Sequence, residues 1–406
     1  MKKRFIIIIL DGFGVGAMDD VAEVRPGDMG ANTALHILQK NKTLALPNLE
    51  TLGLINILGI EINGMGFSSG AAFGTSNLAH FGADTFYGHQ EIMGTKPKRP
   101  VYQPFLENAD SVAKELRDRN YQVKIIHGTN GGKILLVNNV LTIADNIETD
   151  SGQAYNVTSA LDSVPFEDVI DIGKIVRAMV KVSRVIVFGG EGIGIDDIIS
   201  AKEEKGDCFF GISAPKSGVY NKGYRCVHMG YGVDSKIQLP NILNEVNIST
   251  SLFGKVADIV GNPHGKSFPG VDTAKVLEMT LKEMGLVNKG FICTNVQETD
   301  LCGHRENVEA YSEKLEIADF YIGKIMNELE DDDMLLVMAD HGNDPTIGHP
   351  RHTRERVPIM LWGRNVKPCD IGIRDTLSDV ASTVSEFFDA KTSTEYGQSF
   401  LNIIKS

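Results

Sequence analysis

The 406 residues contain no apolar run long enough to span a bilayer. The start, MKKRFIIIILDGFG, has a basic head. Its apolar run, Phe5 to Leu10, is shorter than a signal-peptide core, and Asp11 follows with no small-residue cleavage site. Neither a membrane anchor nor a secretory signal is expected. Cysteine is scarce: Cys208, Cys226, Cys293, Cys302 and Cys369 are odd in number and lack zinc-like spacing. They read as free thiols of a reducing compartment, so a cytosolic protein is expected. Positive charge is in deficit, with 40 Lys and Arg against 53 Asp and Glu, for a net charge of −13. That argues against the basic footprint of a nucleic-acid binder. It does not exclude an anionic substrate, because bound cations invert the local field of a site. No internal repeat is evident.

What is present is ordinary for a folded protein, 42% hydrophobic and 23% charged, and 406 residues suggest two domains. The most informative stretch is MLLVMADHGNDPTIGHPRHTRE, Met334 to Glu355. Six apolar residues suit a buried strand, and Asp340 and His341 then follow directly, with His349 and His352 beyond. A carboxylate beside an imidazole at a strand's carboxyl end reads as a divalent-cation site, provided other parts of the chain supply partners. An isolated Asp-His pair is more often an ordinary polar turn.

Partners are present. Phe5 to Leu10 reads as a central strand capped by Asp11 and a glycine-rich turn. GFGVGA departs from a dinucleotide fingerprint in its third glycine, and Asp11 stands where phosphate would approach. FICTNV reads as a strand followed by Asp300 and His304 in DLCGH. Between these strands, residues 66 to 100 are polar and glycine-rich. There Thr85, with Asp84 before it and Gly88, His89 and Glu91 behind, is a candidate nucleophile. Thr75 and Ser76 are rivals, and Thr85 could equally cap a helix. From about Val101 to about His228 the pattern changes to short helices and strands of mixed period, an α+β unit inserted into a larger α/β domain. GTNGGK lacks the spacing of a P-loop, and VFGGEGIGI has no suitable helix after it, so both read as turns. In the helix ENVEAYSEKLEIADFYIGKIMNEL, Tyr311, Leu315, Ala318 and Ile322 read as core.

Parallel strands bring their carboxyl ends to one sheet edge, so Asp11, Asp300 and Asp340 can converge with His304, His341 and His352. Six such ligands suffice for two cations with positions left open for phosphate oxygens, the arrangement of two-metal phosphoryl transfer. His36, His80, His127 and His228 lack acidic company and read as structural or surface residues.

LDGFGVGA, GADTFYGHQEIMG, GKVADIV, DLCGHRE and ADHGNDPTIGHPRHTRERVP together resemble the motifs of phosphopentomutases, in the alkaline-phosphatase superfamily. The resemblance implies an α/β core with a mostly parallel central sheet flanked by helices, over residues 1–98 and 230–406. A smaller α+β cap would occupy 99–229. It implies two Mn2+ ions, one held by Asp11, Asp340 and His341 beside Thr85, the other by Asp300, His304 and His352. Thr85 would carry phosphate between the positions of (deoxy)ribose 1-phosphate and 5-phosphate. There are departures. Ala83 replaces the family lysine of GKDT, Gln90 the tryptophan of GHWE, and Arg351 the aspartate before HTRE. The Asp300-to-His304 spacing is one residue shorter, as in cofactor-independent phosphoglycerate mutases. The family's arginine-rich cap segment is missing, and Lys216, Lys222 and Arg225 stand as the available substrate-binding cations. The alternative is a phosphomutase or phosphatase for another small phosphorylated or phosphonylated metabolite.

Overall fold

Phe5 to Leu10 are all fully buried, and they form most of the strand Lys3–Leu10, fourth of eight in a sheet. In the computed structural model, residues 2–148 and 151–405 are described. Across that sheet the strands run Lys266–Phe268, Ser249–Phe253, Lys289–Val296, Lys3–Leu10, Met334–Met338, Val357–Trp362, Ala72–Ser76 and Cys369–Arg374. Val357–Trp362 is antiparallel to both neighbours, and every other pairing is parallel. Isoleucine-rich strands buried on both faces are what such a sheet requires. The helices Thr273–Leu286, Val308–Asn327 and Ser378–Phe387 pack apolar residues into one core with it. Tyr311, Leu315, Ala318 and Ile322 are buried there, as expected from their spacing.

Leu10 stands opposite Val296 and Ile9 opposite Met338, so three adjacent parallel strands end level. That puts Asp11, the start of the helix Glu298–His304, and Asp340 at one edge. The strand Ala72–Ser76 was not legible in the glycine-rich polar stretch. Thr75 and Ser76, the rivals to Thr85, lie within it, and Ser76 donates its hydroxyl to Asn77 O.

The chain separates into two compact units, Lys98–Val233 and the remainder. Lys98–Val233 has its own eight-stranded sheet, with Arg225–Gly230, Arg184–Gly190, Ala154–Ala160, Leu141–Asp145, Lys133–Val137 and Val123–His127 in order and Lys202–Lys205 and Phe209–Ile212 paired off that path. The helices Leu106–Asp118 and Phe166–Met179 share a separate apolar core with it. Asn138 and Asn139, both at positive φ, turn one hairpin, as asparagine can at little cost. GTNGGK is a turn, its Gly128 N–H bonded to Gly132 O. VFGGEGIGI differs from expectation: a six-residue helix, Ile195–Ser200, does follow it, with Asp197 accepting from Gly194 N. Its brevity hid it from a periodicity argument.

Candidate metal centre

Each histidine of the expected set donates its Nδ1 hydrogen to a backbone carbonyl. His304 bonds Pro350 O at 2.7 Å, His341 bonds Gly342 O at 2.9 Å and His352 bonds Ala83 O at 2.9 Å. A carbonyl only accepts, so in the neutral form of each ring the Nε2 lone pair is left for the site. His304 Nε2 and His352 Nε2 stand 3.0 Å apart, and each lies 3.3 Å from an oxygen of Asp300. His341 Nε2 lies 3.3 Å from Asp11 Oδ1 and 3.3 Å from Asp340 Oδ2. Ligands about 2.1 Å from a tetrahedral ion are separated by about 3.4 Å, close to these spacings. The His341 ring also stacks on His352 at 4.0 Å, so the two groups adjoin.

The donor set fits divalent cations. Asp11 Oδ1 and His341 Nε2 are buried and make no hydrogen bond. Buried polar atoms are rarely left so, and two acceptors 3.3 Å apart form a cradle for a cation. Ligand-type atoms of Asp300, His341 and His352 lie within 4.8 Å of one another, and so do those of Asp11, His89 and Asp340. His341 thus stands between two acidic groups, a division that the carried-over pairing of His341 with Asp11 and Asp340 alone did not anticipate.

Electrostatics match this geometry. Burial opposes charge on His341, but Asp340, Asp11 and Asp300 overcome it and raise the imidazole to about 9. Burial also opposes charge on Asp300, yet Lys255, His352 and His304 hold its carboxyl well below the usual range. Asp340 is lowered likewise, against burial, by His341, His89 and Lys255. Hydrogen bonding to Asp300 raises His304, whereas burial and then His341 lower His352.

Thr85 is the first residue of the helix Thr85–Ile92, and Asp84, not Thr85, caps it by accepting from Tyr87 N at 3.1 Å. The threonine hydroxyl is thereby free to donate to Asp340 Oδ2 at 2.7 Å. Gly88 lets the helix approach, since a Cβ there would meet Asp340 O at 2.6 Å. Gly12, at φ 76°, makes the turn that lets its N–H reach Asp340 Oδ1. The loop before Thr85 is gripped from two sides. Arg354 donates to His80 O and Gly82 O, and buried Glu91 accepts from Ala79 N and His80 N.

Three participants were given no role in the sequence reading of the site. Lys255 Nζ lies 2.9 Å from Asp11 and 3.6 Å from Asp300. His89 approaches Asp340, and Asn295 donates to Asp11. The spacing of Thr85 and His89, one helical turn, was the available signal for His89. His349, left ambiguous by the sequence, contacts Asp28; His36 and His80, set apart for want of acidic neighbours in sequence, do have acidic partners in the fold, Asp344 and Glu91. Lys216, Lys222 and Arg225 belong to the unit Lys98–Val233, paired there with Glu203, Glu191 and Glu167.

The chain matches the metalloenzyme superfamily over residues 3–392. It belongs to that superfamily, and the acidic and imidazole groups converging on one sheet edge are candidate ligands for divalent metal. The relatives narrow this. The chain is 31% identical over 411 residues to a phosphopentomutase of Alkaliphilus oremlandii, and 30% over 412 to one of Alkaliphilus metalliredigens, each covering all of both chains. It belongs to the phosphopentomutase family and is a metal-dependent phosphomutase, an isomerase. Its fold is that of a phosphoglycerate mutase from Leishmania mexicana solved at low cobalt concentration, at TM-score 0.50 and 11% identity, over 98% of this chain and 97% of that one. Among the described residues no helix is long and apolar enough to cross a membrane.

Proposed function

We propose that the protein interconverts (deoxy)ribose 1-phosphate and 5-phosphate through a phosphothreonine at Thr85. The observation that carries this is the 2.7 Å hydrogen bond from Thr85 Oγ1 to Asp340, in a hydroxyl at a helix N-terminus beside the acidic cluster. Two divalent cations, taken as Mn2+ from the family resemblance, would be held by Asp11, Asp300, His304, Asp340, His341 and His352. When bound they supply Lewis-acid polarisation of phosphate oxygens and acidify a coordinated hydroxyl. The chain's own groups do the rest. Asp340 orients the Thr85 hydroxyl, and the first-turn amides favour the phosphoryl anion as Thr85 Oγ1 bonds to phosphorus, the phosphorus–sugar oxygen bond breaks and the hydroxyl's proton ends on the departing sugar oxygen. Lys255 adds a buried positive charge facing Asp11 and Asp300; burial opposes that charge, but Asp11, Asp300 and Asp340 raise its pKa. Return of the phosphoryl group to the other sugar hydroxyl completes the isomerisation. We assign this chemistry to residues 1–98 and 230–406, and substrate selection to 99–229.

One observation favours a different phosphorylated substrate on the same machinery. Lys216, Lys222 and Arg225, the cations proposed to grip the substrate, are each already paired with a glutamate. The test is an assay on protein purified with Mn2+, supplying ribose 1-phosphate and quantifying ribose 5-phosphate and free phosphate. Ribose 5-phosphate without free phosphate supports the mutase, and stoichiometric phosphate release would make the protein a phosphatase. No product from a protein that holds two metal equivalents would refute the pentose substrate.

A further inference from the structure

We infer that His89 and Asn295 form an uncharged bridge that fixes the separation of the Asp11 and Asp340 carboxylates, and that His89 is a positioning residue and not a ligand. The inference rests on the proposed reading of those two aspartates as metal ligands.

Proximity alone would place His89 among the ligands, since it groups with Asp11 and Asp340 within 4.8 Å and is fully buried. Counting hydrogens gives the opposite answer. Asn295 Nδ2 lies 3.1 Å from Asp11 Oδ2 and 3.0 Å from His89 Nε2. An ionised carboxylate only accepts, so the amide nitrogen, and not its oxygen, must face Asp11. Its two hydrogens then serve the two contacts, and His89 Nε2 accepts one of them. The ring hydrogen therefore sits on Nδ1, which lies 2.9 Å from Thr85 O and 3.1 Å from Asp340 Oδ2, both acceptors. Both nitrogens are engaged and neither presents a lone pair to a cation. His304, His341 and His352 differ in this respect, because each gives Nδ1 to a carbonyl and turns Nε2 toward the aspartates of the cluster.

The path Asp11–Asn295–His89–Asp340 joins the ends of three strands to the helix that begins at Thr85. Asn295 precedes the last residue of Lys289–Val296, and His89 lies one turn along Thr85–Ile92. Groups that orient ligating carboxylates typically change metal affinity by about 10–100-fold when removed.

The experiment measures Mn2+ dissociation constants by calorimetry on the full chain, for wild type, His89→Ala, Asn295→Leu and the double variant. Each single change is expected to weaken binding about 10–100-fold. The double variant should be no weaker than the poorer single one, because both break the same bridge. X-ray absorption on the metal-loaded proteins should show the same number of imidazoles in His89→Ala as in wild type. His89→Asn, which keeps a donor near the Nδ1 position, should recover part of the affinity and replaces His89→Ala if that variant does not fold. Unchanged affinity, additive losses, or one imidazole fewer around the metal would each overturn the bridge. Wild type binding no Mn2+ would overturn it together with the proposed function. Wild type that binds Mn2+ but transfers no phosphate would refute only that function, the bridge then being decided by the same affinities.

Discussion

Thr85 Oγ1 bonds a carboxylate 255 positions away, and the assigned roles make its removal selective. Thr85→Ala should lower phosphoryl transfer at least about a thousandfold, as for other nucleophile deletions, while two metal equivalents remain by elemental analysis. Turnover near wild type would refute the phosphothreonine. Gly88 is a separate case, because its role is clearance. Gly88→Ala inserts a methyl group 2.6 Å from Asp340 O, where backbone rather than a flexible side chain must yield. Overpacking of this kind costs about 1–3 kcal/mol, so a lower melting temperature with loss of transfer is expected. A variant as stable and active as wild type would show that the helix can draw back freely.

At the scale of elements, buried Asp145 in the unit Lys98–Val233 ties two of them together. One oxygen accepts from Phe105 N at 2.7 Å, where the helix Leu106–Asp118 begins, and the other from Phe210 N at 3.1 Å. Burial raises its pKa to about 6, only partly offset by these two bonds. A raised carboxyl favours the protonated folded state. Its stabilising contribution is therefore complete below about pH 4 and is lost as pH rises through 6. The full effect is at most about 3 kcal/mol, from 1.36 kcal/mol per pKa unit. Urea midpoints for this unit should fall between pH 5 and pH 7.5, and Asp145→Asn should flatten that slope. A slope unaffected by the substitution would assign the pH dependence to other groups.

For the whole molecule, the two units have separate apolar cores, one around the eight-stranded sheet of the core unit and one under the Leu106–Asp118 and Phe166–Met179 helices. Residues 98–233 expressed alone should fold, giving a cooperative thermal transition. Chelation should lower the transition of the unit that carries the acidic cluster and leave that of residues 98–233 in place. A ligand at 100 times its dissociation constant contributes about 2.7 kcal/mol to the unit that binds it. A single transition that shifts as one under chelation would show that the units unfold together.

The apolar runs Phe5 to Leu10, FICTNV and Met334 to Ala339 announced buried strands, and their trailing Asp11, Asp300 and Asp340 announced acidic groups at the strands' carboxyl ends. Both were readable because a strand's burial and its terminal polar residue are local properties of the chain. The short strands Ala72–Ser76, Lys266–Phe268 and Cys369–Arg374 were not readable, since a few residues of mixed polarity become strands only when a neighbour offers a ladder. Sequence alone determined which residue types meet at the sheet edge, because parallel strands must end together. Only the tertiary structure decided that Lys255 faces Asp11, that Asp84 caps so that Thr85 need not, and that His89 turns both its nitrogens to other groups. Those outcomes depend on distances between atoms hundreds of positions apart and on which of two acceptors a single hydrogen reaches. No local pattern encodes them.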